Sequence, residues 1–195
     1  FQTLLHRYSG QQDIRVGVPI ANRNRVETER LIGFFVNTQV LKADLDGHLT
    51  VAELLAQVKQ RALEAQAHQD LPFEQLVEAL QPERSLSLNP LFQVMFNYQS
   101  EGRLGAQSQT LSNLHIEGLE WERRTAHFDL DLDVHESAEG LWASLGYATD
   151  LFEPATIERM ARHWQNLLQA MVIDQQQTVA QLSLLDADER QHILR

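Results

Sequence analysis

The sequence predicts a mixed α/β (α+β) domain, a mixed β-sheet covered by helices. Three observations predict it. Short stretches alternate apolar and polar residues at the strand period, and longer ones carry apolar stripes at the helical period. The two kinds are interspersed without a regular βαβ rhythm. With 195 residues, 43% hydrophobic and 22% charged, the chain has enough apolar side chain for one core.

The elements follow in order. In FQTLLHRYSG, Phe1, Leu4, Leu5 and Tyr8 hold helical spacing up to Gly10. The chain does not open with Met, and this reads as a helix cut in its middle, so a piece of a longer protein is expected. DIRVGVPI alternates Ile14, Val16, Val18 and Ile20 against polar or small residues, a strand that exits through ANRNR. FFVNTQVLKAD (34–44) reads as a second strand. Both of its faces carry Phe or Leu, so it is expected to be central and buried on two sides.

Asp46-Gly47 turns the chain, and Thr50-Val-Ala-Glu53 is a capping box. The helix after it places Val51, Leu54, Leu55, Val58, Ala62 and Ala65 on one stripe and runs out near His68-Gln69. Pro72 suits the first turn of a new helix, FEQLVEAL (73–80). QPERSLSLNP is a loop, and LFQVMFNYQ (91–99) is a third strand. EGRLGAQSQTLSN is polar and expected to be mobile. LHIEGLEWER, HFDLDLDVHE and LWASLGYAT read as three further strands, the last two joined by SAEG. Pro154 opens a long helix with Ile157, Met160, Ala161, Trp164, Leu167, Leu168 and Met171 on one stripe. QQQTVAQLSLLDADERQHILR is a polar, connector-like tail.

Composition excludes some functions. A formal net charge of −11 repels phosphate backbones and anionic membranes, so no nucleic acid partner is expected. No apolar run approaches the ~20 residues of a membrane span, and no membrane partner is expected. The absence of cysteine removes disulfides, thiolate metal sites and Cys nucleophiles, and fits a cytoplasmic protein.

The most site-like stretch is TAHFDLDLDVHES (125–137). Phe128, Leu130, Leu132 and Val134 alternate with His127, Asp129, Asp131, Asp133 and His135. Same-face residues on a strand lie roughly 6–7 Å apart. Two of them do not both reach one metal at ~2.0–2.2 Å unless the strand bends. The polar face is therefore expected to be solvated or covered by another part of the protein, with a metal or acid–base role as the alternative. No metal site is assigned. There is no G-x-S-x-G elbow and no phosphate-binding glycine loop. Glu53, Glu64, Glu74 and Glu78 are explained as capping or helix-surface residues, and His68 and His163 as helical residues at the surface or in partly buried packing.

Five stretches, in order, resemble the condensation domains of nonribosomal peptide synthetases. RYSGQQDIRVGVPIANRNR resembles the approach to the second-lobe core. LIGFFVNTQVL resembles I-G-x-F-V-N-T, and HQDLPFEQLVEAL resembles H-Q-D-x-P-F-E. RSLSLNPLFQVMF resembles R-x-x-S-x-N-P-L-F-Q-V, and TAHFDLDL resembles T-x-x-F-D-L. The tail TVAQLSLLDADERQHIL resembles the connector toward an adenylation domain.

The resemblance implies a chloramphenicol-acetyltransferase-like lobe over 1–174, with its N-terminal part truncated, and a connector over 175–195. It implies amide formation between a donor acyl or peptidyl thioester and an acceptor amine. Carrier-protein phosphopantetheine arms deliver both, and no cofactor is bound directly. The implied partners are the N-terminal lobe of the same domain, upstream and downstream peptidyl carrier proteins, and a following adenylation domain. The family's H-H-x-x-x-D-G motif is missing: the chain has eight histidines and no His-His pair, so no catalytic residue is assigned and the fragment alone is expected to be inactive. Where the family commonly has P-x-S-G-R, this chain reads Pro19-Ile20-Ala21-Asn22-Arg23, so the small hydroxyl near the reaction tunnel is lost at Ala21.

The resemblance offers Ala21, Asn37 and Thr38 as tunnel-lining candidates. For Asn37 and Thr38 the alternative is a buried amide and hydroxyl satisfying the sheet. Gln69, Asp70, Pro72, Phe73, Glu74, Arg84, Asn89, Pro90, Phe128 and Asp129 are expected to be structural, with Asp70 a candidate cap for the second helix and Phe73 packing inward. The polar face of 127–135 is expected to meet solvent, a neighbouring strand or the missing lobe. Two other readings stay open: a non-catalytic condensation-like module that docks carrier proteins or partner enzymes, and an epimerisation domain of the same superfamily. The FVNT stretch and the adenylation-type connector argue against the second.

Overall fold

The computed structural model describes residues 1–82, 88–100, 125–138 and 140–193. Arg84, the polar stretch 101–113 and the expected strand at 114–123 lie outside the described residues.

The first helix, α1, spans Gln2–Ser9 and ends at Gly10, whose φ of 70° is the left-handed cap that glycine takes without Cβ strain. β1 (Asp13–Ile20) follows, then a one-turn helix, α2 (Val26–Glu29), that the sequence pattern did not announce. Next come β2 (Asn37–Asp44), α3 (Val51–Ala67) and α4 (Phe73–Leu80). β3 (Val94–Ser100), β4 (Leu130–Ser137) and β5 (Gly140–Tyr147) complete the sheet, and α5 (Pro154–Ile173) and α6 (Ala187–Ile193) close the chain.

Among the described residues the five strands form one sheet in the order β2-β1-β3-β4-β5. The outer pairs β1–β2 and β4–β5 are antiparallel, and β1–β3 and β3–β4 are parallel. The sheet is therefore mixed. Among the described residues β1 and β3 share a single ladder-paired position, Gly17 with Met95, and diverge toward one end.

Helices cover one face. Ile14 and Val16 of β1 and Leu130, Leu132 and Val134 of β4 point into the core, as period-2 alternation requires. Leu4, Val51, Leu130, Ile157, Met160, Leu167 and Leu182 form one core cluster. Ile14, Ala43, Leu45, Leu54 and Val179 form a second. The capping box at the start of α3 is present in both directions: the Glu53 amide donates to Thr50 Oγ1 at 3.2 Å, and the Thr50 amide donates to Glu53 Oε2 at 2.8 Å. At the turn before it, Asp46 Oδ1 accepts from the amides of His48 and Leu49, which holds the Asp46 carboxyl below its ordinary range.

The structure corrects several expectations. The second strand is not central and not buried on both faces. It begins at Asn37, lies at the sheet edge and is mostly half-buried, because β1 is its sole strand partner among the described residues. Phe34 and Val36 belong to the loop before it and are exposed. Leu55 and Leu168, at the margins of their apolar stripes, are exposed too. The third strand starts at Val94, with Leu91 and Phe92 forming a buried lead-in. β4 starts at Leu130 rather than at His127. The tail, polar in composition, is seated in the core: Val179 and Leu182 are fully buried, and Thr178 bridges to Thr50.

Candidate functional site

Motif residues far apart in sequence are brought together beside β1. β2 carries Asn37 at its first position, beside the junction of α3 and α4. Asn37 Nδ2 donates to the carbonyls of Leu71 (2.9 Å) and Gln69 (3.3 Å). Its Oδ1 accepts from the Phe73 amide at 3.1 Å. That amide is one of the orphan donors at the start of α4, so Asn37 caps a helix from another element. Pro72, the N-cap residue of α4, has no side chain able to do so. Asp70 does not take that role, since its Oδ1 accepts from Asn24 Nδ2 at 3.1 Å. Glu74 lies in the first turn of α4, where a carboxylate suits the helix dipole.

Three motif phenylalanines stack in sequence-distant order. The Phe73 and Phe92 rings are 5.7 Å apart at 64°, and the Phe92 and Phe128 rings are 5.5 Å apart at 31°, within the usual range for aromatic pairs. The ring of Phe92 fills the space over Gly17: a Cβ there would overlap Phe92 Cε2 and Cζ. Upstream of this stack, the Asn89 carbonyl accepts from Gln93 Nε2, and Pro90 is exposed. The Asp129 amide donates to the Gln93 carbonyl, carrying the chain into β4.

The loop between β1 and β2 is braced by Arg23. Its guanidinium donates to the carbonyls of Thr28, Leu31 (2.9 Å) and Gly33 (3.2 Å), and lies 4.3 Å from the centre of the Phe35 ring. So held, the loop presents Val26, Leu31, Ile32 and Phe34 to solvent, with Phe34 89% exposed. Ala21 is exposed at the start of this loop, and Thr38 pairs with Pro19 in the β1–β2 ladder.

Asp131 and Asp133 of β4 alternate with the buried Leu130, Leu132 and Val134 and face a cavity with His127, whereas Asp129 lines a different one beside α1 and α5. Asp133 Oδ1 accepts from Asn97 Nδ2 of β3 at 2.9 Å, and the Asp131 carboxylate fills the space over Gly146 of β5. These residues, with Pro19, His127 and Phe128, line an open cavity of about 690 Å³. Ala21, Asn37 and Thr38 are not among its lining residues. Among the described residues, no group of three or more His, Asp or Glu is placed to hold a metal ion. A second cavity of about 590 Å³ opens where β1 and β3 diverge, lined by Tyr8, Arg15, Leu91, Asp129 and Met160 among others.

Sequence reasoning singled out Asn37, Phe73 and Phe128, and the structure joins them. It did not single out Gly17, Phe92 or Asn97 as site residues. A glycine inside an alternating strand is a signal of close approach, and Gly17 carried it.

Comparison with known proteins places this geometry. A family model described as the condensation domain matches residues 1–194. One linear gramicidin synthase protein of Brevibacillus parabrevis is 51% identical over 196 residues, covering 100% of this chain and 2% of that protein. The chain thus spans a small fraction of the curated relatives it matches. Among solved structures, holo-AB3403, a four-domain nonribosomal peptide synthetase bound to AMP and glycine, superposes with a TM-score of 0.85 at 25% identity, covering 95% of this chain and 15% of that one. The teicoplanin X-domain in its complex with OxyB gives a TM-score of 0.82 at 27% identity, covering 96% and 41%.

Proposed function

The chain belongs to the condensation-domain family of the nonribosomal peptide synthetases, and from that premise we propose that residues 1–174 are the C-terminal lobe of such a domain and 175–195 its connector toward an adenylation domain. Condensation domains of synthetases are acyltransferases that form peptide bonds. In the proposed reaction, an acceptor amine attacks the carbonyl of a donor thioester. The C–N bond forms, the C–S bond breaks, the donor's phosphopantetheine thiol leaves and the amine gives up a proton. Each substrate arrives on a carrier-protein arm, so holding the two ends in line supplies much of the rate. The setting is cytoplasmic.

The lobe's part is to shape one wall of the reaction tunnel, with Ala21, Asn37 and Thr38 at or beside that wall. Asn37 spends its amide on the α3–α4 junction, so its contribution is to hold the wall in place. The observation that carries the reading is the Arg23-braced loop: an apolar, exposed surface beside the converged motifs, in a chain with no His-His pair. Such a surface suits burial against a first lobe that brings the catalytic histidine.

A single-turnover condensation assay with donor- and acceptor-loaded carrier proteins, read by intact-protein mass spectrometry, tests this. Product only when the chain is extended upstream through the first lobe is the expected result. Product from this chain alone would sink the proposal and turn attention to His127, Asp131 and Asp133.

The likeness to the X-domain, solved as a complex with OxyB, favours a second reading: a condensation-like module that recruits a partner enzyme. It expects binding without turnover in the extended protein.

A further inference from the structure

We propose that α6 is a clasp, held to the domain by the hydrogen-bonded series Tyr8–His163–Glu189, and that breaking it frees residues 186–193 as a strap while the rest of the tail stays seated. His163 faces inward from α5 and is 3% exposed. Its Nδ1 is 2.7 Å from Tyr8 Oη, and its Nε2 is 2.9 Å from Glu189 Oε2. With the proton on Nε2, the ring donates to Glu189 and accepts from the Tyr8 hydroxyl, so both buried nitrogens are satisfied. The three residues come from α1, α5 and α6, and join the first helix to the last.

Glu189 does two jobs at once. Its Oε2 also accepts from the Asp186 amide at 3.3 Å, while Asp186 Oδ1 accepts from the Glu189 amide at 2.8 Å. This is a reciprocal cap at the start of α6. A helix of seven residues does not persist alone in water, because nucleation outweighs so few propagating bonds. Arg190, Gln191 and His192 are exposed, and among the described residues neither core cluster includes a residue of α6. Among the described side chains of α6, Glu189 is the one that both caps the helix and docks it.

The preceding tail is held differently. Arg7 Nη1 donates to the carbonyls of Val179, Ala180 and Leu182, and Val179 and Leu182 are fully buried. Asn166 Nδ2 donates to the Leu184 carbonyl at 3.0 Å. The anchorage of 179–184 is independent of His163, which places the hinge at Leu185-Asp186. Released, the seven residues of α6 pass from about 10 Å of helix to a strap reaching up to about 24 Å.

Hydrogen exchange of the whole protein, followed by mass spectrometry, tests the clasp with two variants. Glu189→Ala removes docking and cap together, whereas Asp186→Ala weakens the cap and leaves docking intact. The expected result is exchange in 187–193 faster by about tenfold or more in Glu189→Ala and by at most about threefold in Asp186→Ala, with 157–167 and 179–184 unchanged. Three results would overturn the proposal. Equal effects of the two variants reduce Glu189 to a cap. An unchanged 187–193 in Glu189→Ala means that α6 is held by something else. Loosening that spreads into 157–167 and 179–184 means that α6 is not a separate unit.

Discussion

Asn37, at the start of β2, caps the helix that begins at Phe73, accepting that residue's amide proton at 3.1 Å across 36 residues of chain. Its two other bonds, to the Gln69 and Leu71 carbonyls, tie the same junction. Asn37→Ala leaves one donor and two acceptors without this partner. We expect a loss of about 1–3 kcal/mol in urea unfolding, the range for a lost cap or hydrogen-bond partner. Asn37→Asp restores the acceptor but sets a carboxylate against two carbonyls, so it does not rescue. A loss within experimental error for Asn37→Ala would mean that the junction holds without the clamp.

Gly17 is the close-approach residue of the sheet. A methyl group there meets the Phe92 ring at well under contact distance, so ring or strand must shift. Gly17→Ala is expected to cost about 1–3 kcal/mol, as overpacking does. Adding Phe92→Leu should recover part of it, since the two changes share one space. Thermal melts of the single and double variants measure the coupling, and simple additivity would refute it.

Acid should weaken the start of α3. The Thr50 amide, and then its hydroxyl, hold the Glu53 carboxyl below its ordinary value of 4.5. A carboxyl depressed in the folded state contributes stability that is complete above that ordinary value and is lost as pH falls through the depressed one. Unfolding midpoints at about pH 6 and about pH 3 should therefore converge between wild type and Glu53→Gln at the lower pH. A gap that stays constant across that range would show that the cap acts without its charge.

The apolar loop should make the isolated chain self-associate. Ile32 is fully exposed and Phe34 nearly so, while Arg23 bonds the carbonyls of Leu31 and Gly33 that precede them. Sedimentation at rising concentration should show association that Phe34→Asp reduces. A clean monomer at high concentration would count against a covered surface here.

Much of the fold was legible because local signals and tertiary packing agree. The alternation of Leu130, Leu132 and Val134 against Asp131 and Asp133 requires a strand with one dry face, and β4 is that strand. Thr50 and Glu53 mark the start of α3 from four residues alone, because both partners of the cap lie within one turn. α2 was not legible: at four residues it is too short to show a helical period.

The kind and order of elements can be read from the chain without its fold, since period, capping and turn chemistry act between near neighbours. The family motifs can be read the same way. Edge position cannot, since pairing partners are distant in the chain: FFVNTQVLKAD has the composition of a buried strand, yet β2 borders the sheet. The same holds for Asn37, which the family resemblance offers as a tunnel group or as a buried amide satisfying the sheet, and whose three partners are met only when β2 is laid against α4. It holds also for the tail, where polar composition conceals Val179 and Leu182. Burial is set by what packs over a residue, and its neighbours in sequence do not specify that.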